Sequence, residues 1–181
     1  MKRFQTILAF FIVMVSCLAY SVKAQNIDYS VHANIIYHLT KYMEWPGNKN
    51  EPVFVIGVIG DSPLFEELQS ATLNKEVNNK KIIIRKFSCA QRSYSCQILF
   101  ISEDESRCLK NIAELTAITP VLIITEKEGL ALKGSCINFI IDDGRLKLEI
   151  NKNNIEEHTL KIATELLNLG IVVTNDKLTK K

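Results

Sequence analysis

Four short apolar runs constrain what this 181-residue chain can become: Val53–Ile59, Ile98–Ile101, and those within residues 81–87 and 120–125. The first is apolar at every position, so as a strand it is apolar on both faces. A strand of that kind belongs between two covering layers, which in α/β proteins are helices. Gly60-Asp61-Ser62-Pro63 follows the first run and reads as a strand-to-helix turn. Asp61 or Ser62 can cap a helix there, and Pro63 suits its first position. That helix reaches about Leu73, and a second covers residues 106–116 through Leu109, Ile112 and Ala113. The strands are expected at 53–59, 81–87, 97–102 and 120–125. Before them, Ile27, Val31, Ile35, Leu39 and Tyr42 recur at helical spacing from Asp28 to Met43, up to Trp45-Pro46-Gly47.

The texture changes toward the C-terminus. Residues 137–142 and 146–150 flank Asp143-Gly144, a dipeptide suited to a two-residue hairpin turn. Leu146, Leu148 and Ile150 alternate with Lys147 and Glu149, which gives that strand one wet face. A closing helix is expected over 154–168, with Ile155, Ile162, Ala163, Leu166 and Leu167 inward and Gly170 as its stop. The expected fold is three-layer α/β: a mostly parallel sheet with a C-terminal antiparallel hairpin and helices on both faces.

The first two dozen residues stand apart. Lys2 and Arg3 precede an apolar run, and Val22-Lys23-Ala24 forms a small-residue cleavage site before Gln25. The run is short for a membrane span, which needs about 20 apolar residues. Residues 1–24 therefore read as a signal peptide, 25–175 as one domain and 176–181 as a basic tail. A lipid-anchored start at Cys17 is the less favoured alternative. The leader carries Lys2, Arg3 and Lys23 and no acid. The whole chain has 22 Lys+Arg against 20 Asp+Glu, so the mature part holds 19 against 20, a net of −1 rather than +2. No basic stripe interleaved with aromatics is present, so nucleic acid is not an expected partner. The expected compartment is the periplasm.

Catalytic patterns are missing from the sequence. It contains no G-x-S-x-G, no H-E-x-x-H and no Gly-Lys-Ser/Thr. Gly57-x-x-Gly60 lacks the dinucleotide fingerprint and reads as a turn before a capped helix. His32 and His38 are six apart, do not share a helix face, and read as surface or interface residues; His158 reads as solvated. Turn chemistry accounts for Asp142 and Asp143. No cofactor, metal ligand set or catalytic residue is expected, and the chain reads as a non-enzyme.

Two residue groups remain as candidate sites. Cys89, Cys96, Cys108 and Cys136 survive in the mature chain, an even number in an oxidising compartment, and they offer three full pairings. Their spacings include no C-x-x-C, which argues against zinc. Cys89 with Cys96 would close a small loop worth about 2–3 kcal/mol. Cys96 with Cys136 is the main rival, since each begins a core strand. Tyr42, Trp45 and Pro46 form the second group, an aromatic helix end that either plugs the core or faces a partner or ligand.

Five stretches in order resemble the YfiR family of periplasmic proteins: LTKYMEWP at 39–46, FVIGVIGDSP at 54–63, CQILFI at 96–101, INF at 137–139 and GRLKLEIN at 144–151. Cys96 and Cys136 open or directly precede two of them. The resemblance implies a three-layer α/β fold without catalytic activity. It also implies a regulatory partner, the periplasmic sensor part of a membrane-bound diguanylate cyclase or sensor kinase, and a response to oxidation through disulfides. A homodimer and a small-molecule ligand bound at the carboxyl ends of the parallel strands stay open beside that reading.

Overall fold

The computed structural model describes residues 27–47 and 51–174. The chain folds as α1 (Tyr29–Leu39), β1 (Met43–Glu44), β2 (Val53–Ile59), α2 (Leu64–Thr72), β3 (Glu76–Val77), β4 (Lys80–Phe87) and β5 (Ile98–Ile101). A 3₁₀ turn (Glu103–Cys108) leads into α3 (Leu109–Thr116), then β6 (Leu122–Thr125) and a second 3₁₀ turn (Leu130–Lys133). The remainder is β7 (Ile137–Asp142), β8 (Arg145–Asn151), α4 (Lys152–Glu157), β9 (Lys161–Ile162), α5 (Thr164–Leu167) and β10 (Ile171–Val173). The leader, the start at Gln25 and the basic tail lie outside the described residues.

Eight strands form one sheet in the order β10-β8-β7-β6-β5-β2-β4-β3. The block β4-β2-β5-β6-β7 is parallel throughout. Strand order reverses at β2: the chain leaves it for β4 on one side and returns to β5 on the other. Right-handed crossovers then place α2 and α3 on opposite faces, because β2-to-β4 and β5-to-β6 progress in opposite directions. α1 lies against α2. The end of α4 joins the α3 side through Ile118 N to Glu157 O at 3.3 Å. The central strands β5 and β6 are buried at every position, as strands covered on both faces must be.

The hairpin between β7 and β8 turns through Asp143 at φ 50° and Gly144 at φ 71°, with Asp142 opposite Arg145. Positive φ at both central residues matches the twist of antiparallel strands, and this is why Asp-Gly marks such turns. β8 is half-buried over Leu146 to Glu149 rather than cleanly alternating, and β10 pairs in parallel with its last three residues, Glu149 to Asn151.

Three expectations are corrected. The first helix ends at Leu39, four residues early, and Met43–Glu44 leaves it to pair with β9. Its buried face is His32, Ala33, Ile36 and Leu39, while Ile27 and Val31 are exposed. The His32 ring, edge-on to Phe139 at 4.6 Å, supplies the contact that pattern reading assigned to Val31. The closing helix is not continuous. It stops at Glu157, Thr159 takes φ 57°, and Leu160 turns into the core. A helix with Ile155 and Ile162 inward would point Leu160 outward, so burying Leu160 and pairing Lys161–Ile162 with β1 together break the periodicity.

Candidate functional site

Parallel strands bring their carboxyl ends to one edge, and the point where strand order reverses leaves a crevice there. In this protein the crevice lies over the end of β2, between the segments that follow β4 and β5. Phe87 and Ile101 flank Ile59 on its two sides. Gly60 then takes φ +98°, and a Cβ there would collide with Ser102 Oγ and come within 3.3 Å of Glu105 Cγ. Glycine therefore lets the post-β5 segment close down over β2.

A disulfide clasps that closure. Cys89, two residues beyond β4, bonds Cys108 at the end of the first 3₁₀ turn, with Cα atoms 5.7 Å apart. The bridge spans β2 from one flanking strand to the other. Cys108 is buried and Cys89 half-buried. Glu105 lies against the bridge, its Oε2 3.2 Å from Cys89 Sγ and 3.5 Å from Cys108 Sγ. The Arg107 guanidinium reaches the same oxygen at 3.3 Å. Ser102 Oγ is buried and, among the described residues, without a hydrogen-bond partner.

Neither pairing weighed from the sequence forms. Cys89 and Cys96 lie at opposite ends of the sheet, because a connection between parallel strands must run back the length of the strand. The separation is on the order of 15–20 Å. Cys96 and Cys136 lead into β5 and β7, with β6 between them. Two strand spacings amount to about 9–10 Å, beyond the roughly 7 Å a disulfide can span. Both remain free and buried, and burial pushes each thiol up to about 12.

Beyond this clasp the carboxyl edge is acidic. The Glu126 carboxyl accepts from Glu103 N at 3.2 Å, and burial holds it above its ordinary range. The Tyr29 side chain joins Ser62 and Glu126, and burial pushes its phenol up. Glu103, Glu126, Glu128, Asp142 and Glu149 line a recess of about 500 Å³ with Lys127.

The aromatic group is at the opposite, amino end of the strands. Trp45 Nε1 donates to Gln97 O at 2.9 Å, and its ring meets Phe54 edge-on at 5.0 Å. Gln97 Oε1 in turn accepts from Val55 N at 2.6 Å, so Trp45 and Gln97 together close this end of β2 and β5. Trp45 and Tyr42 are half-buried and Pro46 is exposed. Trp45 also lines a groove of about 570 Å³ with Lys41, Phe54, Val77 and Lys80. Of Tyr42, Trp45 and Pro46 only Trp45 lines that groove, and the groove lies far from the cysteine clasp.

The histidine expectations divide. His38 is exposed, as anticipated, but His32 and His158 are both 3% exposed. His32 Nδ1 sits 3.1 Å from Asp28 O, and His158 Nδ1 is buried and, among the described residues, without a hydrogen-bond partner. Burial lowers the pKa of each. The spacing of His32 to His38 and the polar neighbours Glu156-Glu157 of His158 suggested surface positions, whereas both rings fill the core.

Sequence reading missed a buried polar chain. Thr125 Oγ1 donates to Asn138 Oδ1 at 2.6 Å, and Asn138 Nδ2 donates to Glu149 at 2.8 Å. Asn151 and Asn154 both donate to Ala131 O, at 2.7 and 3.1 Å. These bonds fasten the second 3₁₀ turn and the hairpin to the sheet. Asn138 and Asn151 belong to stretches already noted for their resemblance, and an asparagine inside an apolar strand run is the available signal.

A family model described as YfiR/HmsC-like matches residues 29–171. No curated protein matches the chain.

Proposed function

The chain belongs to the YfiR/HmsC-like family, whose members are non-enzymatic periplasmic regulators, and we propose that it binds and restrains the sensor domain of an inner-membrane signalling protein. The output of that partner would be a diguanylate cyclase or a kinase. Export by the 1–24 leader would deliver it to the periplasm, with a mature start at Gln25.

The observation that carries this reading is the clasp. In an open α/β sheet the reversal point is where a ligand usually sits. Here a covalent bridge and Glu105 lie across it instead. Opening or closing the bridge changes the surface of the segments after β4 and β5. A regulator works by preferring one state of its partner, and such a change alters that preference. Redox tuning of partner binding follows. Ile171 and Val172 on the outermost strand β10, with Leu169 just before it, supply exposed apolar area of the kind that marks a docking edge.

The test measures binding of the mature domain to the periplasmic domain of the inner-membrane signalling protein encoded beside it, by calorimetry, oxidised and reduced. Binding that differs at least several-fold between the two forms is expected. Equal affinity would remove the redox part, and no binding in either form would remove the partner. The groove beside Trp45 supports a second reading, a small-molecule site that takes in Trp45 but not Tyr42 or Pro46. It lies at the amino ends of the strands, where this fold class less often places a ligand.

A further inference from the structure

The geometry points to a zinc-type metal site hidden in the clasp: once the Cys89–Cys108 bridge is reduced, Cys89, Cys108 and Glu105 form a three-ligand cradle for a divalent, borderline-soft cation. The inference is independent of any partner. Sequence spacing argues against metal, because the cysteines lack a C-x-x-C and no histidine is near. The third ligand is a carboxylate that the first 3₁₀ turn brings back onto the pair.

The ligand atoms already converge. The two sulfurs and a Glu105 oxygen lie within 4.8 Å of one another. A tetrahedral zinc ion with bonds of about 2.3 Å to sulfur and about 2.0 Å to oxygen holds its sulfur and oxygen ligands about 3.5 Å apart. Glu105 Oε2 stands at 3.2 and 3.5 Å from the sulfurs, so its position requires little change. The sulfurs must separate to about 3.8 Å in such a site. Side-chain rotation supplies that from Cα atoms 5.7 Å apart. The ligand set selects the ion. Two thiolates disfavour calcium and magnesium and suit zinc. Two thiolates and one carboxylate leave a charge of −1 around a divalent ion, and the Arg107 guanidinium is 3.3 Å from the carboxylate to balance it. Half-buried Cys89 and Glu105 give entry and leave the fourth position to water.

The chemistry balances in two steps. A dithiol reductant delivers two electrons and two protons, the Cys89–Cys108 sulfur–sulfur bond breaks to two thiols, and the reductant becomes a disulfide. The cation then displaces both thiol protons to solvent and forms two metal–sulfur bonds and one metal–oxygen bond, with no change in its oxidation state. A disulfide sulfur is not a thiolate ligand, so bridge and metal exclude each other. The clasp alternates between a covalent and a coordinate cross-link, and zinc favours the reduced form by mass action.

The experiment uses the mature protein, reduced and freed of reductant without air, and titrated with zinc against a chromogenic chelator and with cobalt as a spectroscopic probe. One ion per chain, thiolate-to-cobalt charge-transfer bands and no binding by oxidised protein are expected. Glu105→Gln should weaken binding at least tenfold, while Cys96→Ser and Cys136→Ser leave it unchanged. Several results would overturn the site: no zinc binding at micromolar concentration, the same affinity in Glu105→Gln, or retention by the Cys89→Ser/Cys108→Ser variant. Loss of the near-ultraviolet circular dichroism on reduction would also overturn it, since the cradle exists only in the folded chain.

Discussion

Replacing Cys89 and Cys108 together by serine removes the clasp and leaves the two buried thiols in place. The bridge closes a segment with a sequence separation of 19. Loop-closure entropy for a ring of that size amounts to about 3 kcal/mol at room temperature. For a domain of roughly 150 residues each kcal/mol moves the melting temperature by about 2–4 °C, so the variant should melt about 6–12 °C lower than oxidised wild type. A reductant should bring wild type down by a similar amount and leave the variant where it is. Circular dichroism melts of both proteins, with and without a phosphine reductant in metal-free buffer, read this directly. Peptide mapping on the same samples verifies the thiol state. The reasoning fails if fully reduced wild type melts with the oxidised protein, or if the variant still responds to reductant. The second result would mean that Cys96 or Cys136 carries a bond, against their separation in the sheet.

Three further outcomes follow from the packing. A Cβ on Gly57 would approach Phe87 Cδ2 to 2.6 Å and Leu99 Cδ1 to 2.9 Å, so Gly57→Ala should cost about 1–3 kcal/mol by denaturant unfolding. Trp45→Ala loses the Phe54 contact and the bond to Gln97 O and should cost about 2–3 kcal/mol, whereas Trp45→Phe should recover most of it. Burial holds His32 and His158 below the ordinary histidine value, so between about 6.5 and their lower folded values the unfolded chain binds more protons than the folded one. Their contribution is complete above that window and is lost as pH falls through it; Glu126, held above its ordinary value, works in the opposite direction. His32→Phe should therefore flatten the fall of melting temperature between pH 7 and 5, and an unchanged slope would show that His32 does not titrate there.

The central strands were legible because burial on both faces writes itself as unbroken apolar runs, and Val53–Ile59 appears with the expected bounds. The hairpin turn was legible because Asp143-Gly144 must supply two positive φ angles. The closing helix was not, since its apolar spacing fits a helix while the fold spends Leu160 on the core and Lys161–Ile162 on β1. The disulfide partner was also beyond reach. Which cysteines meet depends on strand order: Cys89 and Cys96, neighbours in sequence, go to opposite ends of the sheet, and Cys108 comes back over β2. Tyr42, Trp45 and Pro46 could be read as a group, but the groove takes in only Trp45 of the three and adds Val77 and Lys80 from a distant segment.

The partition of the cysteines has a consequence for how the chain reaches its oxidised form. Cys89 meets Cys96 across six intervening residues while the chain is open, a shorter and faster closure than the one to Cys108. An early Cys89–Cys96 bond would tie together segments that must end at opposite edges of the sheet, and β5 could not insert. Insertion of β5 and β7 ends that hazard, because it buries Cys96 and Cys136 and withholds their thiolates. Native pairing is then enforced by accessibility rather than by the strength of any one bond. Oxidation before collapse should trap non-native isomers that need a disulfide isomerase, while oxidation after collapse should give a single product.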